Sequence, residues 1–178
     1  MILLVIDMQK GIVNEELYAF DTFIERTTKL IDVARKQKIE VIYFQHDDGV
    51  GSGFSIGDLD FEIANQVAPK KDEKIFVKTI SSCFGNKEFA EYMEKQVDKR
   101  LMIIGLQTNY CIDATVKSAF EKGYQVFIPD KTNSTFVNKF MNAETTYRYY
   151  NEEIWPSGLA KCISFKDAIK MLKDIQCK

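Results

Sequence analysis

The chain has 178 residues, of which 46% are apolar and 28% charged, and residues 1–178 are predicted to form a single domain around one sizeable core. A net charge of −2 and a pI near 5.6 exclude the basic surface on which a dedicated nucleic-acid-binding protein depends. No apolar run reaches membrane-spanning length and the apolar start lacks the basic residues of a signal peptide, so we expect a cytoplasmic protein.

Short apolar runs alternate with amphipathic segments along the whole chain. Strands are predicted at Ile2–Ile6, Val41–Gln45, Ile75–Lys78, Leu101–Gly105, Gln125–Ile128 and Lys161–Ser164. Helices are predicted near Phe20–Lys36, Lys87–Lys95, Asn109–Lys122, Asn138–Asn151 and Lys166–Asp174. The strand segments are rich in Ile, Val, Leu and Phe, which is typical of parallel strands covered on both faces. The alternation therefore predicts a three-layer α/β fold.

Reactive side chains follow several of these strands. Asp7 follows the first strand and His46 the second, while Lys78 ends the third. Cys111 comes shortly after the fourth strand, at the start of a predicted helix. Ligands of an open parallel sheet bind beyond the carboxyl ends of its strands, so an acid, an amine and a thiol are expected to meet at one edge. The glycine-rich stretch Asp47–Gly57 is predicted to be a mobile loop over this site.

The thiol of Cys111 is the candidate nucleophile. A helix N-terminus and the neighbouring cation of Lys78 would both favour its thiolate. Asp7 can take the thiol proton and return it to a leaving amine, which makes it the candidate general acid/base. The main-chain N–H groups of Gln107 and Cys111 are predicted to hold an oxyanion.

The other cysteines and the single histidine limit the alternatives. Cys83, Cys162 and Cys177 form no CxxC pair with Cys111 or with one another, and packing is the favoured role for all three. His46 cannot build a multi-histidine zinc site by itself, so it is expected to hydrogen-bond in a loop or pocket.

Four segments resemble the signatures of the isochorismatase-like cysteine hydrolases, in order and over nearly the whole chain. They are Val5–Gln9, Phe76–Lys78 with the following Ser82–Gly85, Gly105–Asp113, and Gly123–Asp130, although the family more often has Ala where this chain has Lys131. The resemblance implies a six-stranded parallel sheet with helices on both faces, in a Rossmann-like topology. It also implies an Asp-Lys-Cys triad at Asp7, Lys78 and Cys111, and a cis peptide bond between Leu106 and Gln107.

The same resemblance implies hydrolysis of an amide or related C–N bond of a small non-peptide molecule through a thioester, without a cofactor. Gln9, Ile12, Phe84 and Tyr110 are the candidate pocket residues because they flank the matching motifs. Nicotinamidases have an Asp-x-His motif and further histidines that hold a metal. This chain has Gln45-His46-Asp47-Asp48 instead, so no metal is expected and the streptothricin-hydrolase-like branch is favoured. The family also implies a homodimer or larger homo-oligomer, with no membrane or nucleic-acid partner.

Two other functions stay open at this point. An isochorismatase-type hydrolase would cleave a vinyl ether, but it does not need the thiol that this chain carries. A non-catalytic redox or binding protein on the same fold would need a resolving cysteine, for which Cys83 is the candidate. A nucleotide-binding fold lacks support because Asp7–Gly11 stands where a glycine-rich phosphate loop would follow the first strand.

Overall fold

The computed structural model describes residues 1–174, so Cys177 lies outside the described residues. Its sheet contains β1 (Ile2–Ile6), β2 (Glu40–His46), β3 (Lys74–Lys78), β4 (Arg100–Leu106), β5 (Gln125–Pro129), β6 (Asn133–Ser134) and β7 (Lys161–Ile163). The strand order is β3-β2-β1-β4-β5-β7, and every pair is parallel. The two-residue β6 lies off this path and pairs with the end of β4. The six-stranded parallel sheet is therefore confirmed, with β6 as a short addition.

Helices follow most of the strands, as the alternating pattern predicted, whereas a loop with one 3₁₀ turn joins β2 to β3. The helices are α1 (Phe20–Lys36), α2 (Lys87–Glu94), α3 (Asp113–Glu121), α4 (Ala143–Arg148) and α5 (Phe165–Asp174). Two π-helical turns, Thr108–Ile112 and Tyr149–Ile154, extend α3 and α4. Short 3₁₀ turns occur at Asn65–Val67 and Cys83–Gly85. Within residues 1–174, each helix is too short or too polar to cross a membrane.

Apolar side chains fill both faces of the sheet. Leu4 and Ile6 of β1 pack on one face with Phe89 of α2 and Val116 of α3. The alternate residues of β1 pack on the other face against α1 and α5. All five residues of β1 are buried, which is why the strand is a continuous apolar run rather than an alternating one.

The predicted helix at Asn138–Asn151 begins later, at Ala143. The side chain of Asn138 accepts the N–H groups of Phe140 and Met141, and that of Asn142 accepts the N–H of Thr145. Asparagine side chains that bond nearby main-chain groups favour turns and N-caps over helix interiors. The two asparagines therefore form a turn followed by a cap, and the pattern overestimated the helix by one turn or more.

The register aligns the carboxyl ends of the central strands. Ile6 of β1 pairs with Phe44 of β2 on one side and with Gly105 of β4 on the other. His46, at the end of β2, pairs with Lys78 at the end of β3. The residues that follow β1 and β4 therefore reach the same edge as His46 and Lys78.

Candidate active site

Asp7 leaves β1 in an unusual conformation. Its φ is 51°, in the left-handed region that aspartate tolerates better than most residues. Its N–H donates to the carbonyl of Phe44 at 3.0 Å, which anchors the turn to β2. The chain thus turns away from the sheet while the carboxylate stays buried at the sheet edge, with 2% of the residue exposed.

The ammonium of Lys78 lies at the centre of the site. Its Nζ donates to Oδ2 of Asp7 at 2.7 Å and to Sγ of Cys111 at 3.2 Å. Its third contact is Nδ1 of His46 at 3.0 Å. An ammonium has three donors, so all of them are used within this cluster. A buried cation with every proton bonded is held in one position, and it fixes the three acceptors around it.

His46 is held in one tautomer by its two neighbours. Lys78 has no lone pair to offer, so Nδ1 of His46 must be the acceptor. The ring proton is therefore on Nε2, which lies 3.1 Å from Oδ1 of Asp48. The sequence-based expectation of a hydrogen-bonding role for His46 agrees with this geometry.

The side chain of Gln9 hydrogen-bonds to the main chain of His46. Its Oε1 accepts the N–H of His46 at 2.8 Å, and its Nε2 donates to the carbonyls of His46 and Phe61, each at 3.0 Å. The residue is completely buried, and it does not line the cavity described below. The prediction that Gln9 is a pocket residue is therefore wrong, because the flanking position in sequence carries its side chain into the protein.

Cys111 lies on the π-helical turn that begins at Thr108. Such turns are rare and occur frequently at functional sites. The pKa of the thiol is raised from 9.0 to about 12, first by burial and second by the Asp7 carboxylate, whose effect exceeds the opposing effect of Lys78. The expected preference for thiolate at a helix start is therefore wrong for the resting site, since desolvation and an adjacent carboxylate outweigh the helix dipole.

Asp7, Lys78 and Cys111 shift one another's pKa values. Burial raises the pKa of Asp7 although Lys78 and Cys111 act against it. Burial would lower the pKa of Lys78, but Asp7 and Cys111 raise it above its ordinary value. A buried cluster with carboxylate, ammonium and thiolate together would carry a net negative charge, which desolvation disfavours. Transfer of the proton from Cys111 to Asp7 leaves the cluster neutral. Within residues 1–174, Oδ1 of Asp7 accepts no hydrogen bond and so offers a free lone pair.

A buried amide pair supports the turn that carries Cys111. Thr108 donates from Oγ1 to Oδ1 of Asn133 at 2.7 Å, and Asn133 donates from Nδ2 to Oδ1 of Asn151 at 2.9 Å. Asn151 donates back to Asn133 at 3.1 Å and to the carbonyl of Tyr147 at 2.9 Å. The peptide bond between Leu106 and Gln107 is cis, as predicted. Nothing in the sequence pointed to the amide pair, because its members become neighbours only when β6 docks beside β4.

A cavity of about 280 Å³ opens onto these groups, near the lower end of the size range of small-molecule sites. It is lined by Asp7, Ile12, His46, Asp48, Phe54, Ser81, Gln107, Tyr110 and Cys111. The predicted pocket residues Ile12 and Tyr110 are thus on its wall. Gln107 and Cys111, whose N–H groups are predicted to hold an oxyanion, line it too.

Phe84 was also predicted to line the pocket, and this is wrong. Its partly buried ring packs against the core, with its centroid 5.2 Å from that of Phe89 and 5.5 Å from that of Tyr124. Asp48, Phe54 and Ser81 line the cavity instead. They come from loops whose path depends on tertiary contacts, so motif proximity could not identify them.

Asp7, His46 and Cys111 are the one group of three potential metal ligands within the described part of the chain. Their ligand atoms lie within 4.8 Å of one another. All three side chains already contact the ammonium of Lys78. That positive charge occupies the position between the ligands and would repel a divalent cation there. The residues therefore do not fit a metal.

The sequence profile of the isochorismatase domain matches residues 1–145. The chain belongs to the isochorismatase-like hydrolase family. Nicotinamidase 3 of Arabidopsis thaliana is 28% identical over 148 residues, which cover 75% of this chain and 73% of the relative. An uncharacterised isochorismatase family protein of Bacillus subtilis is 30% identical over 132 residues, covering 68% of this chain and 71% of the relative. A streptothricin hydrolase of Streptomyces noursei is 25% identical over 136 residues, covering 75% of this chain and 49% of the relative.

Solved structures agree on the isochorismatase-like fold. A crystal structure of an isochorismatase family protein superposes with a TM-score of 0.81 at 25% identity, covering 91% of this chain and 96% of the other. A cysteine hydrolase from Pseudomonas syringae pv. phaseolicola superposes with a TM-score of 0.84 at 21% identity, covering 97% and 92%. The second likeness, at its lower identity, concerns the fold alone.

Proposed function

We propose that this isochorismatase-like hydrolase is a cysteine amidohydrolase, which cleaves a C–N bond of a small non-peptide amide or lactam through a thioester on Cys111. The observation that carries the proposal is the buried ammonium of Lys78, which donates to both the carboxylate of Asp7 and the thiol of Cys111. Nucleophile and base both hydrogen-bond to the same orienting ammonium, and their ligand atoms lie within 4.8 Å of each other, an arrangement that suits nucleophilic catalysis. The cavity gives a substrate carbonyl access to the sulfur.

In the acylation step, Asp7 takes the proton of the thiol as Sγ attacks the carbonyl carbon. The cluster stays neutral during this transfer, so the low-dielectric site does not oppose it. The carbonyl oxygen becomes an oxyanion, and the N–H groups of Gln107 and Cys111 are its proposed donors. When the tetrahedral intermediate collapses, Asp7 returns the proton to the leaving nitrogen and the C–N bond breaks.

In the deacylation step, a water molecule attacks the thioester carbon. Asp7, again a carboxylate, accepts a proton from this water and passes it to the sulfur as the C–S bond breaks. The carboxylic acid product leaves, and the thiol is restored. Lys78 remains an ammonium throughout, since its contacts with Asp7 and Cys111 raise its pKa.

Several relatives support C–N bond cleavage by their names. They include a nicotinamidase, a streptothricin hydrolase and a ureidoacrylate amidohydrolase of Agrobacterium fabrum. None of these substrates is assigned to this chain.

The test is a hydrolysis screen over small amides, ureides and lactams with wild type and Cys111→Ala. We expect the variant to lose at least about a thousandfold in kcat/KM, because no thioester can form. Cys162→Ala is the matched control, since Cys162 lies half-buried on β7 and does not line the cavity. Mass spectrometry of a quenched reaction should show an acyl adduct on Cys111. If Cys111→Ala hydrolyses its substrate as fast as wild type, the thioester mechanism is wrong.

The redox alternative loses support from the environment of Cys83. That residue is completely buried, its N–H donates to Oγ1 of Thr115 at 3.1 Å, and burial raises the pKa of its thiol well above the ordinary value. A resolving cysteine is expected to be accessible and readily deprotonated. The vinyl-ether alternative predicts hydrolysis of a vinyl ether that survives in Cys111→Ala, so a small vinyl ether added to the same screen distinguishes it.

A further inference from the structure

The wall of the cavity carries negative but no positive charge. Of its nine residues, the two carboxylates Asp7 and Asp48 are acidic, and none is Lys or Arg. His46 contributes a neutral ring, because its Nδ1 accepts from Lys78. Ser81, Gln107 and Tyr110 are polar without charge, and Ile12 and Phe54 are apolar.

The nearby ammonium is not available to a substrate. Lys78 is 2% exposed and uses its three donors on Asp7, His46 and Cys111. Its charge is balanced by Asp7, which lies 2.7 Å away. The catalytic cluster therefore contributes no net positive charge, and the charge of Asp48 remains unbalanced.

Asp48 is held at the mouth of the cavity. Its N–H donates to the carbonyl of Phe54 at 3.0 Å, and Phe54 lines the same cavity. Its carboxylate contacts Nε2 of His46 and is 55% exposed. The neighbouring Asp47 is half-buried, and bonds from Ser55 and from the N–H of Gly49 lower the pKa of its carboxyl. Two acidic side chains thus stand together on this loop.

We infer that the site selects amides without a carboxylate near the scissile bond, that it prefers substrates with a cationic or hydrogen-bond-donating group beside it, and that Asp48 sets this preference. The inference rests on the proposed function and narrows its substrate class. An anionic group entering the cavity would lose water without gaining a charged partner and would face Asp48. A cationic group would exchange its hydrating water for a favourable contact with the carboxylate of Asp48. The site would thus discriminate in two ways, by repelling anionic substrates and by attracting cationic ones.

The experiment uses small thiol reagents that differ in charge, so it does not require the natural substrate. Methanethiosulfonates with an ethylammonium or an ethylsulfonate tail react with Cys111, and the modified peptide is quantified by mass spectrometry. The rate constant for the cationic reagent is divided by that for the anionic reagent. This ratio is then divided by the same ratio measured for an uncharged cysteine ester in solution, which gives a corrected ratio. We expect a corrected ratio of at least about tenfold for the wild-type protein, given one unbalanced charge at short range in a partly buried site.

Asp48→Asn isolates the charge. The amide oxygen can keep the contact with Nε2 of His46, so the ring stays in place while the carboxylate is lost. We expect the corrected ratio to fall by at least about fivefold in this variant, because the charge that sets it has been removed. Glu25→Gln removes one exposed acid from α1, outside the cavity wall, and should leave the ratio unchanged.

Three outcomes decide the inference. A corrected ratio near one in wild type overturns it, and so does a high ratio that Asp48→Asn leaves unchanged. Hydrolysis of carboxylate-bearing amides at the rate of matched neutral amides, in a Cys111-dependent reaction, also overturns it while leaving the proposed function intact. Conversely, activity that survives in Cys111→Ala contradicts the proposed function whatever the ratios are.

Discussion

At the scale of single residues, the central fact is the position of one proton. Cys111 and Asp7 both have raised pKa values, and burial is the first cause in each case. A thiol at the start of a helix suggests a ready thiolate, but this one is surrounded by core side chains and faces a carboxylate. In the proposed mechanism, the thiol therefore keeps its proton until a substrate arrives, and Asp7 then receives it without a change in the net charge of the cluster.

Asp7→Asn tests this arrangement, because it separates thiolate formation from turnover. The Asp7 carboxylate raises the pKa of Cys111, so its removal leaves Lys78 to lower that pKa. At pH 8, below the pKa, the thiolate fraction must increase. Iodoacetamide should then alkylate Cys111 at least about threefold faster. Each unit by which the pKa falls increases the thiolate fraction about tenfold, and the lower nucleophilicity of the less basic thiolate offsets part of this gain. Hydrolysis should fall by about 10²- to 10⁴-fold, because the general acid/base is gone.

The pH profile of alkylation provides the control. With a pKa of about 12, the wild-type rate should increase by about tenfold per pH unit from pH 7 to 10 without a plateau. A plateau below pH 8, or slower alkylation in Asp7→Asn, would mean that Asp7 promotes the resting thiolate rather than suppressing it.

At the scale of elements, the site depends on how closely β4 approaches β1. Gly105 has a φ of +120°, and a Cβ at this position would overlap the main-chain carbonyl oxygen of Ile6. Ile6 immediately precedes Asp7, and Gly105 precedes the turn that leads to Cys111. The same close approach therefore positions both Asp7 and Cys111.

Gly105→Ala should destabilise the protein and lower activity. We expect a loss of about 2–4 kcal/mol in the free energy of unfolding, from strain at positive φ and from displacement of packed backbone. Gly123→Ala is the matched control, since its φ is +78° but nothing lies within 4 Å of an added Cβ. It should cost about 1–2 kcal/mol and leave kcat/KM unchanged. Urea denaturation and hydrolysis assays measure both effects, and equal losses for the two variants would contradict the packing argument.

At the scale of the whole molecule, homo-oligomer formation stays a prediction. Two large apolar residues in the segment before α4 are strongly exposed, with Val137 at 71% and Phe140 at 85% of their surfaces. Exposed apolar side chains that lie close together are typical of interaction surfaces. Sedimentation velocity should therefore give a mass of two chains or more.

Replacing Val137 and Phe140 together with Ser should shift that mass toward a single chain. Val97→Ser is the control, because Val97 is 97% exposed but precedes β4 at the opposite edge of the sheet. A wild-type protein that sediments as one chain at micromolar concentration would refute this prediction. Cytoplasmic location likewise stays a prediction.

The amino-acid sequence by itself determined the order of the strands and helices, the parallel sheet and the identity of the three central groups. These follow from local patterns, because a strand buried on both faces must be apolar throughout and a polar residue directly after it must lie at the sheet edge. Asp7 is recognisable for that reason. Lys78 ends β3 and Cys111 lies on the turn after β4, and their grouping with Asp7 as a triad was implied by the family resemblance.

Only the tertiary structure decided the surroundings of those groups. It buried Gln9 against the main chain of His46 and packed Phe84 against the core. It brought Asp48 and Phe54 to the cavity wall. It also reversed the expected effect on the thiol pKa. Desolvation, charge balance and the path of a loop depend on which distant segments pack together, and no local pattern contains that information.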